Sequence, residues 1–121
     1  MRLTLLAQQE LQVIEELADG PEAIEKAKEL QPDLILLDIG LPTLNGIEAA
    51  RRIRKVSPDS KILFVSENRS RDVVEEALRA GGGGYVVKSD AARELLPAIK
   101  AILEGKLFIS TILADRRAAA P

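Results

Sequence analysis

Pro32-Asp33-Leu34-Ile35-Leu36-Leu37-Asp38-Ile39-Gly40-Leu41-Pro42 holds an uninterrupted apolar run that stops at an acid. Four aliphatic residues in a row, Leu34 to Leu37, bounded by prolines, read as a strand buried on both faces, as in a parallel sheet with helices above and below it. Asp38 then stands at the carboxyl end of that strand, the edge at which open α/β sheets place ligands. Beyond it Gly40 allows close backbone approach, Pro42 stops the strand, and Asn45 is placed to cap a helix opening at Gly46 or Ile47. A lone aspartate there is more simply a turn cap, and only polar partners at the ends of neighbouring strands would give it a larger role.

Upstream of the run, Leu11 to Leu17 begins in alternation and reads as an edge strand, although Glu15 and Glu16 weaken the pattern. Asp19-Gly20-Pro21 makes a turn into a helix whose apolar stripe is Ala23, Ile24, Ala27 and Leu30. Met1 to Gln9 fits either the last turns of a helix or a short strand. Downstream, Ile47, Ala50 and Ile53 face inward on a helix that carries Arg51, Arg52, Arg54 and Lys55 on its other side, a solvated face. Ile62 to Val65 is a second buried strand, ending at Ser66. A helix with Val73, Val74, Ala77 and Leu78 inward runs to the Gly81–Gly84 connection, and Tyr85-Val86-Val87 is a short last strand ending at Lys88. Ser89 and Asp90 open a longer helix with Ala92, Leu95, Leu96, Ile99, Ile102 and Leu103 as its stripe, followed by Leu107-Phe108-Ile109 and a tail. Strict alternation of strand and helix from Leu11 onward means parallel strands and right-handed crossovers.

The 121 residues make one domain, read as 1–110 with a tail at 111–121. Seventeen basic and nineteen acidic residues leave a net charge of −2, which gives no footprint for direct nucleic-acid binding or for an anionic membrane surface. With no Cys and no His, disulfides, thiolate metal sites and imidazole chemistry are excluded, and any chemistry falls to Asp, Glu, Lys, Ser, Thr and backbone. No apolar run approaches the roughly 20 residues of a membrane span, and a cytoplasmic protein is expected. The glycine run follows a helix and precedes a strand, the reverse of a phosphate-binding loop.

Asp38, Ser66 and Lys88 thus stand at the carboxyl ends of three consecutive predicted strands, which share one edge of a parallel sheet. An aspartate can accept a phosphoryl group as an acyl phosphate, adding about −1.5 to −2 charge and several acceptor oxygens. A lysine supplies a point charge for one such oxygen, and a serine hydroxyl a neutral donor for another.

On these residues, together with Gly40-Leu41-Pro42, Asn45-Gly46 and Tyr85, the sequence resembles the receiver domain of bacterial two-component response regulators, of the type usually joined to a helix-turn-helix DNA-binding domain. The resemblance runs from about Leu11 to Ile109. It implies a flavodoxin-like doubly wound α/β fold in the strand order 2-1-3-4-5, and a regulator rather than an enzyme. It further implies Asp38 as acceptor of phosphate from a sensor histidine kinase, Ser66 and Lys88 as its contacts, and Tyr85 as a switch that turns inward when Ser66 moves. The interaction face it implies lies on the family's fourth and fifth helices, with Arg71, Glu75, Arg79, Arg93 and Lys100 exposed and the Arg51–Lys55 face next in line.

The departures lie at the start of the chain. Family members open with a strand ending in two acids that hold Mg²⁺ beside the phosphoacceptor, and neither those acids nor a full first helix is recognisable here. Gln8 and Gln9 lack the charge such a site needs. Asp38 and the backbone at Gly40 are left as the expected, weak Mg²⁺ ligands, and the alternative is a degenerate receiver that takes up no phosphate and acts only through protein contacts. Arg2 to Ala7 is read in preference as the end of the first helix, since Leu11 follows too closely for a parallel crossover. The sheet is then expected to be truncated, leaving the Leu34–Leu37 strand with an unpaired edge. Three repairs are open: direct closure by the Leu11 strand, a return of Leu107 to Leu113 into the gap, or a strand donated by a second copy. The last, a homodimer, is the expectation carried forward.

Overall fold

The computed structural model describes residues 2–6, 9–16, 20–40 and 45–113, with side chains from residue 20 onward. In chain order the elements are β1 (Arg2–Leu6), β2 (Gln9–Glu16), α1 (Gly20–Leu30), β3 (Leu34–Leu37), α2 (Gly46–Val56), β4 (Lys61–Ser66), α3 (Arg71–Arg79), β5 (Gly84–Val87), a 3₁₀ turn (Lys88–Asp90), α4 (Ala91–Leu103) and β6 (Phe108–Ile109). They form a six-stranded sheet in the order β1-β2-β3-β4-β5-β6, parallel throughout except for the β1–β2 pair.

The strand core has the two-faced burial expected of its apolar runs. Ile35, Leu37, Ile62, Phe64, Tyr85 and Val87 point into a cluster with Ala23 and Ala27 of α1, Ala49, Ala50 and Ile53 of α2, and Val74 and Ala77 of α3. The alternate residues Leu34, Leu36, Leu63, Val65 and Val86 join Ala98, Ile99 and Ile102 of α4 on the other face. A period of two on a strand covered on both sides gives a continuous aliphatic run, which is why Leu34 to Leu37 carries no polar residue. Asn45 caps α2 as expected, its Oδ1 accepting from Glu48 N–H at 2.9 Å. At the other end of the helix pair, Gln31 adopts φ 46° and its Nε2 donates to Lys28 O at 3.0 Å and to Val56 O at 2.9 Å, tying the ends of α1 and α2 together.

Several expectations about the start of the chain are corrected. Arg2–Leu6 is a strand antiparallel to β2, not the end of a helix, and β2 is therefore an inner strand rather than an edge. The β3 edge is not empty. Strand β2 pairs directly with it, Val13 opposite Leu34 through Glu16 opposite Leu37, which is the first of the three repairs. This closure drags no helix out of place: β2, α1 and β3 form an ordinary βαβ unit between adjacent strands, and α1 packs on α2. The return of Leu107 to Leu113 into the gap does not occur either, since Phe108–Ile109 pairs with β5 at the opposite edge. Without an unpaired β3 edge, the strand-donation route to a homodimer loses its reason. The expected sheet, truncated at its first strand with the β3 edge unpaired, is replaced by one in which β2 lies directly beside β3.

On α4 the expected stripe is also shifted. Ala92 and Leu96 are exposed, while Glu94 is buried beside Ala98, Ile99 and Ile102. Residues 111–113 form a helical turn with Leu113 seated in the core, so the segment beyond Ile109 stays on the domain as far as it is described. The tail expected from Asp115 to Pro121, and Gln8, lie outside the described residues.

Candidate functional site

At the carboxyl ends of β3, β4 and β5 lies an open cleft of about 430 Å³ lined by Asp38, Ile39, Gly40, Ser66, Glu67, Asn68 and Lys88. Each wall has a local cause. Strand β3 ends where Gly46 lets the start of α2 close against it: Gly46 N–H donates to Ile39 O at 3.0 Å, and a Cβ on residue 46 would lie 2.1 Å from Asp38 O. Only glycine fits that approach. Strand β4 ends at Ser66, whose Oγ accepts from Asn68 N–H at 3.2 Å, while Asn68 Oδ1 accepts from Ser70 N–H at 2.8 Å ahead of α3. Strand β5 delivers Lys88 through the short 3₁₀ turn.

Within the cleft, Lys88 Nζ lies 2.6 Å from Asp38 Oδ2, and Gly40 N–H donates to Asp38 Oδ1 at 3.0 Å. The Asp38 side chain is 14% exposed and that of Lys88 36%, so the carboxylate is recessed and the ammonium reaches it from the rim. The hydrogen bond to Asp38 raises the Lys88 ammonium above its ordinary value against a cost of burial, with attraction to Asp38 and Glu67 adding to it. Tyr85 is fully buried, points inward, and its hydroxyl donates to Asn68 O at 2.7 Å. Burial pushes the Tyr85 hydroxyl up, a hydrogen bond with Ser66 works against this, and the Asp38 charge adds to the rise.

Asp38 and Lys88 thus meet directly, as their strand-end positions suggest, and Ser66 lines the same cleft with its hydroxyl engaged by the following loop. Glu67 and Asn68 are not singled out by the sequence pattern. Their signal is there all the same, since they continue the polar step at the end of β4. Asp38 and Glu67 are the two carboxylates of the cleft, and among the described residues no group of three or more His, Cys, Asp or Glu could hold a metal. Arg71, Glu75, Arg79, Arg93 and Lys100 are all exposed on α3 and α4. Arg51 and Arg52 of the basic face of α2 pair with Glu48, and Arg51 also with Glu76 of α3, so part of that charge is already matched. Among the described residues no helix is long and apolar enough to cross a membrane.

The family model for the response regulator receiver domain matches residues 1–100. An uncharacterized transcriptional regulatory protein YxjL of Bacillus subtilis is 36% identical over 115 residues, covering 95% of this chain and 53% of that protein. The response regulator GacA of Pseudomonas viridiflava is 33% identical over 108 residues, 89% of this chain and 50% of its own length. The chain therefore spans about half the length of the curated relatives it matches. Among solved structures, a two-component response regulator of the LuxR family from Aurantimonas sp. SI85-9A1 superposes with a TM-score of 0.81 at 29% identity, covering 89% of this chain and 96% of that one.

Proposed function

The chain belongs to the response regulator receiver domain family, and we propose that within it Asp38 accepts a phosphoryl group from a sensor histidine kinase and so switches a protein-interaction face. Receiver domains are regulators rather than enzymes with turnover, and relatives of this one are named as transcriptional regulatory proteins. A cytoplasmic location belongs to the same reading. The observation that carries it is the 2.6 Å approach of Lys88 Nζ to Asp38 Oδ2 on the floor of an open cleft. A carboxylate oxygen attacks phosphorus, the P–N bond of the donor phosphohistidine breaks, and the imidazole keeps the electron pair. The new group brings about −1.5 to −2 charge into a recessed site, and the Lys88 ammonium moves from Oδ2 to a phosphoryl oxygen.

In this reading Ser66 is the second contact. Its hydroxyl can turn from Asn68 N–H to a phosphoryl oxygen, and the loop it then releases is the one whose carbonyl holds the Tyr85 hydroxyl. A local charge is thereby passed to the exposed face of α3 and α4. The second reading is a degenerate receiver that takes up no phosphate and acts only through contacts of that face.

Incubation with acetyl phosphate followed by intact-mass spectrometry separates the two. The first reading expects slow gain of one phosphoryl group, abolished in Asp38→Asn, and the degenerate reading expects none. A steep requirement for Mg²⁺ would show that donors outside the described set complete a metal site.

A further inference from the structure

Glu94 is the one buried carboxylate among the described residues, and the cleft does not use it. It lies on α4 facing Ser110, which is fully buried. The Ser110 hydroxyl donates to Glu94 Oε1 at 2.6 Å and accepts from Val87 N–H at 2.8 Å. Glu94 Oε2 accepts from Thr111 N–H at 3.1 Å, at the start of the turn closed by Leu113 N–H to Ser110 O at 3.0 Å. Ser110 N–H in turn donates to Tyr85 O at 2.9 Å. Strand β6 ends at Ile109, so the serine carries the pairing of β5 past the end of its partner strand, with a hydroxyl in place of a backbone carbonyl.

Ser110 therefore grips β5 at Tyr85 and Val87 from one side. From the other side, the same few residues reach the cleft, Lys88 through Asp38 and Tyr85 through Asn68. A buried carboxylate is tolerated only while its hydrogen bonds are made, so Glu94 favours two discrete arrangements: the segment seated and the carboxylate satisfied, or the segment off and the carboxylate in water. An element of that kind can couple two places without a continuous deformation between them.

We infer that Glu94 and Ser110 form a latch that seats residues 107–113 on β5 and couples the occupancy of the Asp38–Lys88 cleft to the seating of that segment. This deepens the proposed function by naming how the site acts on the C-terminal side of the domain, and it rests on that reading for its physiological trigger. Glu94 and Ser110 are positioning residues. They touch neither the cleft nor a ligand.

The test is amide hydrogen exchange on the full chain, read at Val87, Ser110, Thr111 and Leu113, with Ile53 of α2 as reporter of global opening. Glu94→Gln is expected to speed exchange at Thr111 and Leu113 by roughly tenfold or more, the usual consequence of losing a charge-assisted buried hydrogen bond, and to leave Ile53 unchanged. Ser110→Ala is expected to add Val87 to the affected set. If Ser110→Ala does not fold, Glu94→Gln alone carries this arm. For the coupling, Lys88→Gln, which empties the Asp38 contact without a ligand, is expected to shift exchange at Ser110 and Thr111, and to do so less in the Glu94→Gln background. Unchanged exchange at 110–113 in Glu94→Gln, or equal effects of Lys88→Gln with and without Glu94, overturns the latch. Neither arm uses a phosphoryl donor, so failure of Asp38 to take up label sinks the proposed function without touching this result.

Discussion

Gly46→Ala places a methyl group where the end of β3 and the start of α2 meet. The added Cβ would lie 2.1 Å from Asp38 O, 2.8 Å from Asp38 C and 2.9 Å from Ile39 Cα. Ordinary contact begins near 3.4 Å, so the first of these is short by about 1.3 Å, and all three neighbours are backbone atoms with no flexible end to swing aside. Either α2 backs away, stretching the 3.0 Å bond from Gly46 N–H to Ile39 O, or the Asp38 backbone shifts. Overpacking of this kind costs about 1–3 kcal/mol, and loss of the hydrogen bond about 1 kcal/mol more. A total of about 2–4 kcal/mol lowers the melting midpoint by roughly 10 °C in a domain of this size. The assay is urea unfolding followed by circular dichroism, read as a shift in midpoint at constant slope. The site should suffer too, since movement of Asp38 opens its contact with Lys88. A Gly46→Ala protein within about 0.5 kcal/mol of the parent would refute the close approach on which this account of the cleft depends.

Tyr85→Phe removes the hydroxyl that donates to Asn68 O at 2.7 Å and is expected to cost about 1 kcal/mol in chemical unfolding while leaving the ring packed on Phe64; a neutral change would place the hydroxyl in water. Glu94 is pushed up by burial, but hydrogen bonds from Ser110 and Thr111 outweigh this and hold its carboxyl below the ordinary 4.5, with Arg93 adding a weak attraction. A depressed acid contributes stability above its unfolded value and loses it as pH falls through the folded one, so Glu94→Gln should cost most near neutrality and least in acid. Unfolding curves taken from pH 7 downward check this, and a difference that grows on acidification would contradict it. With β2 paired to β3, the amides of Leu34 to Leu37 should be protected from exchange whatever the association state seen by sedimentation; a dimer with those amides exchanging fast would restore strand donation.

The parts of the fold legible in the sequence are those written by side-chain burial. Leu34 to Leu37 alternate between two covered faces, and Asn45 caps α2. The convergence of Asp38 and Lys88 is legible because parallel strands fix which ends share an edge. What is not legible depends on backbone pairing or distant polar partners. Any strand of suitable length can satisfy the β3 edge, and nothing in Leu11 to Glu16 says which neighbour it will take. The rotation of α4 is hidden for another reason. Leu96 and Ala92 fit the apolar period, yet the helix turns Glu94 inward because Ser110 and Thr111, far along the chain, satisfy its carboxylate.

The central claim is that Asp38 is the phosphoryl acceptor, and reductive trapping of the acyl phosphate tests it at the level of the atom. Borohydride reduces an aspartyl phosphate to homoserine and leaves a free aspartate and phosphoserine intact. Peptide sequencing by mass spectrometry after phosphorylation and reduction should find homoserine at position 38 and nowhere else. Unaltered Asp38 in protein that has gained phosphate, with the label on Ser66 or another residue, would contradict the account.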